Sequence, residues 1–294
     1  MAGFSPSSPG AAPSFQTRGA LDAARAAAYN RAAAEKTSEA PMSTPDYFSR
    51  YDNLHMSRDE AGVLLLRMHT NGGPIVWNGK SHRDFVDAFH DIGRDRRTRA
   101  VVLTGTGDEW MVQIDHAGLK QMSQPWVWHR VNLDGRKLLD NLLDIEVPMV
   151  AAINGPARLH SELALLCDAL VCSEDAVFQD RHLEWRLVPG DGVHIVWPAV
   201  LGPTRGRYFL MTGQQLDARQ ALQLGVANEV LPQHQVLPRA LELATQFARL
   251  PALAARYSRL LFARRYKQLL HEDAGFGLAL EGLSAAGLEP GAVP

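Results

Sequence analysis

The stretch from Val147 to Pro198 restricts the fold of this chain more than any other: VPMVAAINGPARLHSELALLCDALVCSEDAVFQDRHLEWRLVPGDGVHIVWP. Val150–Ile153 is an apolar strand that enters a turn at Asn154, Gly155 and Pro156. A short helix follows, and a second apolar run covers Ala169–Cys172. Strand–turn–helix junctions of this kind belong to α/β proteins. Chemistry collects there because helix N-termini and strand ends present unpaired N–H groups and converging side chains. Polar residues mark these seams: His160 and Glu162 where the helix begins, His182 and Glu184 after the next strand, and Asp191 between two glycines.

The segments on either side continue the α/β reading. Leu54–Arg58 and Val63–Thr70 are β-prone runs separated by a short loop, which reads as a hairpin. Asn71–Pro74 form a loop leading to Ile75, Val76 and Trp77. Ser81 is the expected N-cap of a helix whose Phe85, Ala88, Phe89 and Ile92 recur at helical spacing. Ala100–Leu103 reads as a buried strand, Val127–Ile145 as a long amphipathic helix, and Gly225–Val230 as one more short strand. After Pro198 the pattern is helical over 205–211, 218–224, 237–249 and 252–270. A separate last helix is expected over 276–283, closing over whatever lies beneath it. Residues 1–43 are rich in Ala, Ser and Pro without an apolar stripe, and read as a disordered or weakly helical tail. A targeting segment, or a natural start at Met42, is the alternative. The expected organisation is this tail, an α/β core over 44–232 and a helical lobe over 233–294.

The 30 basic and 32 acidic residues are interspersed, which gives no case for nucleic acid or an anionic membrane surface. No apolar run approaches the roughly 18 residues that a spanning helix needs, so a cytoplasmic protein is expected. Cys167 and Cys172 flank a strand without metal-type spacing and read as buried thiols.

Several residues offer chemistry on their own account. A histidine can take a proton from water near neutral pH, and a carboxylate on its other ring nitrogen fixes the tautomer. His182 and Asp191 can form such a dyad, or be a loop histidine and an ordinary P-G-D-G turn residue, with His194, three residues beyond Asp191, as a rival partner. His160 at a helix start can donate to a carbonyl, or simply bond backbone. Glu162 is either a catalytic acid or a first-turn residue offsetting the helix dipole. Trp77 is a donor only and can hold a ketone oxygen, or pack in the core. Glu281 lies about 150° from the centre of the stripe Phe276, Ala279, Leu280 and Leu283, which by itself points to solvent. No H-E-x-x-H or C-x-x-C spacing supports a metal, and no glycine fingerprint supports a nucleotide, so neither metal nor cofactor is expected.

The layout of strand, NG turn, ELA helix, CDALV strand, FQD and VPGDG resembles the crotonases, the enoyl-CoA hydratase and isomerase superfamily. The motifs H-x-VWP, LG-x-x-RGRYFL and TGQ-x-LDAR bring it closer to the CoA-independent β-diketone hydrolases of the 6-oxocamphor hydrolase type. The resemblance runs over residues 45–286. It implies a spiral of β–β–α units with a helical C-terminal lobe, a homotrimer or dimer of trimers, and hydrolysis of a cyclic 1,3-diketone. His182 falls where hydratases carry their second catalytic glutamate, and Glu162 where they carry the first. His160 replaces the glycine whose N–H completes the family's oxyanion hole. Trp110–Asp115, WMVQID, keeps the aromatic residue and aspartate of the other oxyanion loop but not its glycine. The resemblance alone brings in Glu281, and it tips His182 and Asp191 toward a catalytic dyad and Trp77 toward substrate binding. Two alternatives stay open: an acyl-CoA hydratase, isomerase or hydrolase using Glu162 with Glu184, and a non-catalytic binding protein of this fold.

Overall fold

The computed structural model describes residues 44–288; the tail expected over 1–43 lies outside the described residues. Strands β1 (Leu54–Arg58) and β2 (Val63–Met68) form the expected hairpin, with Leu54 opposite Met68. There follow β3 (Val76–Trp77), α1 (Gly79–Arg94), β4 (Ala100–Thr104), β5 (Gln113–Ile114), α2 (His116–Gln121) and α3 (Pro125–Leu143). The middle of the chain supplies β6 (Met149–Ile153), α4 (Glu162–Leu165), β7 (Ala169–Ser173) and β8 (Val177–Phe178). Then come α5 (Val193–Leu201), α6 (Pro203–Thr212), β9 (Leu216–Asp217), α7 (Ala218–Gln223), β10 (Glu229–Leu231), α8 (Gln233–Ala248) and α9 (Ala252–Ala286).

The main sheet runs β1-β2-β4-β6-β7-β10, and every pairing after the hairpin is parallel. Parallel strands are covered on both faces, so they read as continuous apolar runs; all five residues of β4 and of β6 are buried. One face packs Leu64, Leu66, Val101, Leu103, Ala151 and Ile153 into the larger core. The other packs Val102, Val150, Ala152 and Val171 against Ala240, Ala244 and Ala248 of α8. Alanines four apart make a narrow ridge that seats this helix close to the sheet. The boundary expected after 232 thus falls just before a helix that covers the sheet. No helix among the described residues is long and apolar enough to cross a membrane.

Two local expectations are corrected. The N-cap of α1 is Asn78, whose side chain accepts from Lys80 N and Ser81 N at 2.8 and 2.9 Å. Ser81 sits three residues inside the helix and closes a capping box by accepting from Asn78 N at 2.8 Å.

The C-terminal pattern forms one helix of 35 residues rather than two. An exposed glycine inside a helix costs only about 1 kcal/mol, so Gly275 does not end it. The buried face of its last turns is Ala274, Gly277, Leu278, Glu281 and Ala285, whereas Phe276 and Leu283 are 67% and 71% exposed. Side-chain size, not hydrophobicity, decides which face turns inward. A Cβ on Gly277 would stand 2.3 Å from His194 Cε1 and 2.4 Å from Gly190 O, and one on Gly282 would stand 2.0 Å from Trp128 Nε1. Gly277→Ala is therefore expected to destabilise the fold by about 1–3 kcal/mol through overpacking. Gly275→Ala, with nothing within 4 Å, should stabilise it by about 0.5–1 kcal/mol. Thermal or urea denaturation of the two variants checks the pair of signs.

Arg259, also on α9, is buried and donates to the carbonyls of Leu142, Ile145 and Leu166. It pairs with Asp168 at 2.8 Å, so one guanidinium closes the C-terminal ends of α3 and α4.

Candidate active site

Strand β6 runs into the turn at Asn154, whose amide donates to Gly107 O and Glu109 O at 2.9 and 2.8 Å and accepts from Gly105 N. This pins the loop that carries His160. The His160 backbone lies in the left-handed region at φ 43°, an uncommon conformation for a non-glycine residue and one that clusters at functional sites. Its Nδ1 meets Glu162 Oε1 at 2.7 Å, and Glu162 is fully buried at the start of α4. The Trp77 ring, at the end of β3, is centred 4.1 Å from the imidazole.

His182 follows β8 in the loop 179–182. Its Nδ1 meets Asp180 Oδ2 at 2.8 Å, and its backbone N–H donates to Asp180 Oδ1 at 3.3 Å. On the far side of the ring, Nε2 faces Asp191 Oδ2 at 3.4 Å and Glu281 Oε1 at 3.7 Å. Asp191 Oδ2 also lies 3.6 Å from His160 Nδ1. Asp191 stands between Gly190 and Gly192, and a Cβ on Gly190 would sit 2.2 Å from Gly277 O. The glycine contact between this loop and α9 is what brings Glu281 into the group.

Trp77, His160, Asp180, His182, Asp191 and Glu281 line a cavity of about 330 Å³. Ile114, Leu138, Leu159, Leu187 and Leu278 supply its apolar wall.

Burial would lower the pKa of His182, but the charges of Asp180 and Asp191 outweigh it and hold it well above the ordinary histidine value of 6.5. His160 is likewise raised, as Glu162 and then Asp191 overcome the effect of burial. Asp191 is held well below the usual carboxylate range: burial opposes this, and His182 and His160 win. Burial, joined by the charges of Asp191 and Asp180, pushes the Glu281 carboxyl well up against the opposing charge of His182. His82, buried beside His160, is lowered to about 3 and stays uncharged.

The cavity thus brings together His182, Asp191, His160, Glu281 and Trp77. Three details bear on the sequence reading. Asp180 meets Nδ1 of His182, while Asp191 faces Nε2 of the same ring. Glu281 is 4% exposed, on the inner rather than the outer face of its helix. Among the described residues His194 forms no ion pair with Asp191 within 4 Å; its ring packs on Gly277 instead. Neither Glu162 nor Glu184, the pair of the acyl-CoA alternative, is among the residues lining the cavity. Glu184 pairs with Arg181 at 2.7 Å and accepts from Gln179 at 2.8 Å, outside the cavity lining.

Among the lining residues that the sequence reading did not single out are Asp180 and His82. Asp180 closes the FQD motif, and its link to His182 spans two residues within a loop, where no helix or strand period operates. His82 lies on the buried face of α1, its ring centred 5.2 Å from that of Trp77; a lone histidine on an apolar helix face gives no separate signal. The donor atoms of His160, Glu162 and Asp191, and those of His182, Asp191 and Glu281, lie within 4.8 Å of one another. A shared proton or a cation satisfies such spacing equally.

The enoyl-CoA hydratase/isomerase family profile matches residues 59–276. Among solved structures, a β-diketone hydrolase from the cyanobacterium Anabaena sp. PCC 7120, bound to (S)-3-oxocyclohexyl acetic acid, is 51% identical. It covers 84% of this chain and 99% of its own, with a TM-score of 0.82. An enoyl-CoA hydratase/isomerase from Mycobacterium paratuberculosis has a TM-score of 0.75 at 24% identity, covering 80% and 94% of the two chains. The fatty acid oxidation complex subunit alpha of Shewanella sp. (strain ANA-3) is 28% identical over 196 residues, 65% of this chain. The chain spans only 28% of that relative's length.

Proposed function

The chain belongs to the enoyl-CoA hydratase/isomerase, or crotonase, superfamily, and from that premise we propose that it hydrolyses a carbon–carbon bond of a cyclic or bicyclic 1,3-diketone. The observation that carries this reading is a pair of imidazoles, each bonded through Nδ1 to its own carboxylate, facing one largely apolar cavity beside Trp77. The likeness at 51% identity to a β-diketone hydrolase supports the same substrate class.

In this mechanism His182 takes a proton through Nε2 from the water that attacks one ketone. The developing oxyanion is met by His160, which donates from Nε2 while Glu162 holds its Nδ1 and raises the ring's affinity for its proton. Trp77 donates to the second carbonyl. The bond between the attacked carbon and the central carbon then breaks. Its electron pair leaves as an enolate delocalised onto the second ketone. His182 returns its proton to the enolate carbon, so one water is consumed and a keto acid is released.

Side-by-side incubation with a cyclic 1,3-diketone and an enoyl-CoA tests the substrate class. Loss of the diketone alone is expected; consumption of the enoyl-CoA alone would return the protein to hydratase chemistry. Assembly as a homotrimer or dimer of trimers is part of the proposal. The outward Phe276 and Leu283 of α9 are a face that such an assembly can cover. Light scattering that returned a monomer at micromolar concentration would contradict it.

A further inference from the structure

His182 stands between two acids that hold it differently. Asp180, 6% exposed, accepts from the ring and from the backbone N–H of the same residue, at 2.8 and 3.3 Å. That double attachment fixes both the carboxylate and the ring plane. Across the ring, the 3.4 and 3.7 Å separations of Nε2 from Asp191 and Glu281 are longer than the usual N–H···O hydrogen bond and than the 2.8 Å contact with Asp180. They suit groups arranged around a shared water or substrate atom. Asp191 Oδ1 and Glu281 Oε2 have no hydrogen-bond partner among the described residues.

A neutral imidazole carries one N–H and one lone pair, and a carboxylate only accepts. If Asp191 set the tautomer through Nε2, the lone pair would sit on Nδ1. It would then point at the Asp180 carboxylate, at hydrogen-bond distance, with no room for water between them. Only the opposite tautomer leaves a basic nitrogen facing the cavity.

We propose that Asp180 is the positioning residue for the base: it holds the proton on Nδ1 of His182, presents Nε2 to the reacting water, and leaves Asp191 on the reacting side of the ring. The proposal rests on the reading of His182 as the base, and it gives Asp180 and Asp191 separable roles. The groups that set the charge on His182 are Asp180, Asp191 and Glu281, with His160 opposing.

The test compares Asp180→Asn with Asp191→Asn. Asp180→Asn should lower kcat by about 10²–10⁴-fold with KM little changed. It should also move the rising limb of the pH–rate profile to lower pH, because an acid that raises the His182 pKa is gone. Nitrogen-15 NMR of histidine-labelled protein above that limb should report the Nδ1–H tautomer of His182 in the wild type and in Asp191→Asn, and the Nε2–H tautomer in Asp180→Asn. Unchanged kcat and pH limb in Asp180→Asn would overturn the proposal, as would a tautomer swap in Asp191→Asn. Should Asp180→Asn fail to fold, the tautomer in Asp191→Asn decides alone: Nδ1–H supports the assignment and Nε2–H sinks it. The NMR reading needs no diketone, so a wrong substrate class and a wrong positioning residue give different results.

Discussion

His182→Ala is expected to remove diketone turnover by about 10²–10⁴-fold, the usual contribution of a positioned general base. The loss should fall on kcat, because the interaction exists only while water is being deprotonated. Combining it with Asp191→Asn should add little, since both groups address the same water and fail as a unit. The sign of the pH dependence follows from the surrounding acids. Asp180 and Asp191 raise the His182 pKa above 6.5, so the ring keeps its proton to higher pH and the basic form appears late. The wild-type rate should therefore rise with pH through an apparent value above the ordinary histidine range. A limb at or below 6.5, or wild-type turnover in His182→Ala with activity lost in His194→Ala, would show that another group is the base.

His160→Ala carries the second large effect. It removes the donor nearest the indole of Trp77, and loss of one oxyanion donor typically costs about 10²–10³ in kcat. KM should rise as well, because the same donor holds the ground-state carbonyl; this separates His160 from His182. Glu162→Gln should reproduce part of the loss. The ring keeps a partner on Nδ1 but loses the charge that most strongly raises its pKa, so its hold on the developing negative charge weakens. Glu184→Gln serves as the control: it lies outside the cavity, bound to Arg181 and Gln179, and its turnover should match the wild type. Steady-state kinetics on the three variants distinguishes these outcomes.

The strands and the seams between them were legible in the sequence because burial on both faces leaves uninterrupted apolar runs, as in MVAAI and AVVLT. His160, His182 and Asp191 were found by their position at those seams and by the motifs around them. Glu281 was legible only through resemblance. Periodicity put it outside because it scores large apolar residues, while the inner face of α9 is built from Ala274, Gly277 and Ala285. A helix that must approach a backbone as closely as Gly277 approaches Gly190 selects for small residues, and hydrophobic patterning is blind to that. Asp180 was overlooked for a related reason. Asp191, flanked by glycines, resembles a designed turn, whereas a carboxylate two residues before a histidine looks incidental until the loop folds the two together.

The central claim is that water is added across a carbon–carbon bond of a 1,3-diketone. Incubating the protein with a cyclic 1,3-diketone in water enriched in the heavy oxygen isotope, and weighing the product by mass spectrometry, tests it most directly. The account predicts a keto acid carrying one heavy oxygen, located in the new carboxyl group. Recovery of unchanged diketone, with the heavy oxygen instead entering an added enoyl-CoA as a hydroxyl, would contradict it.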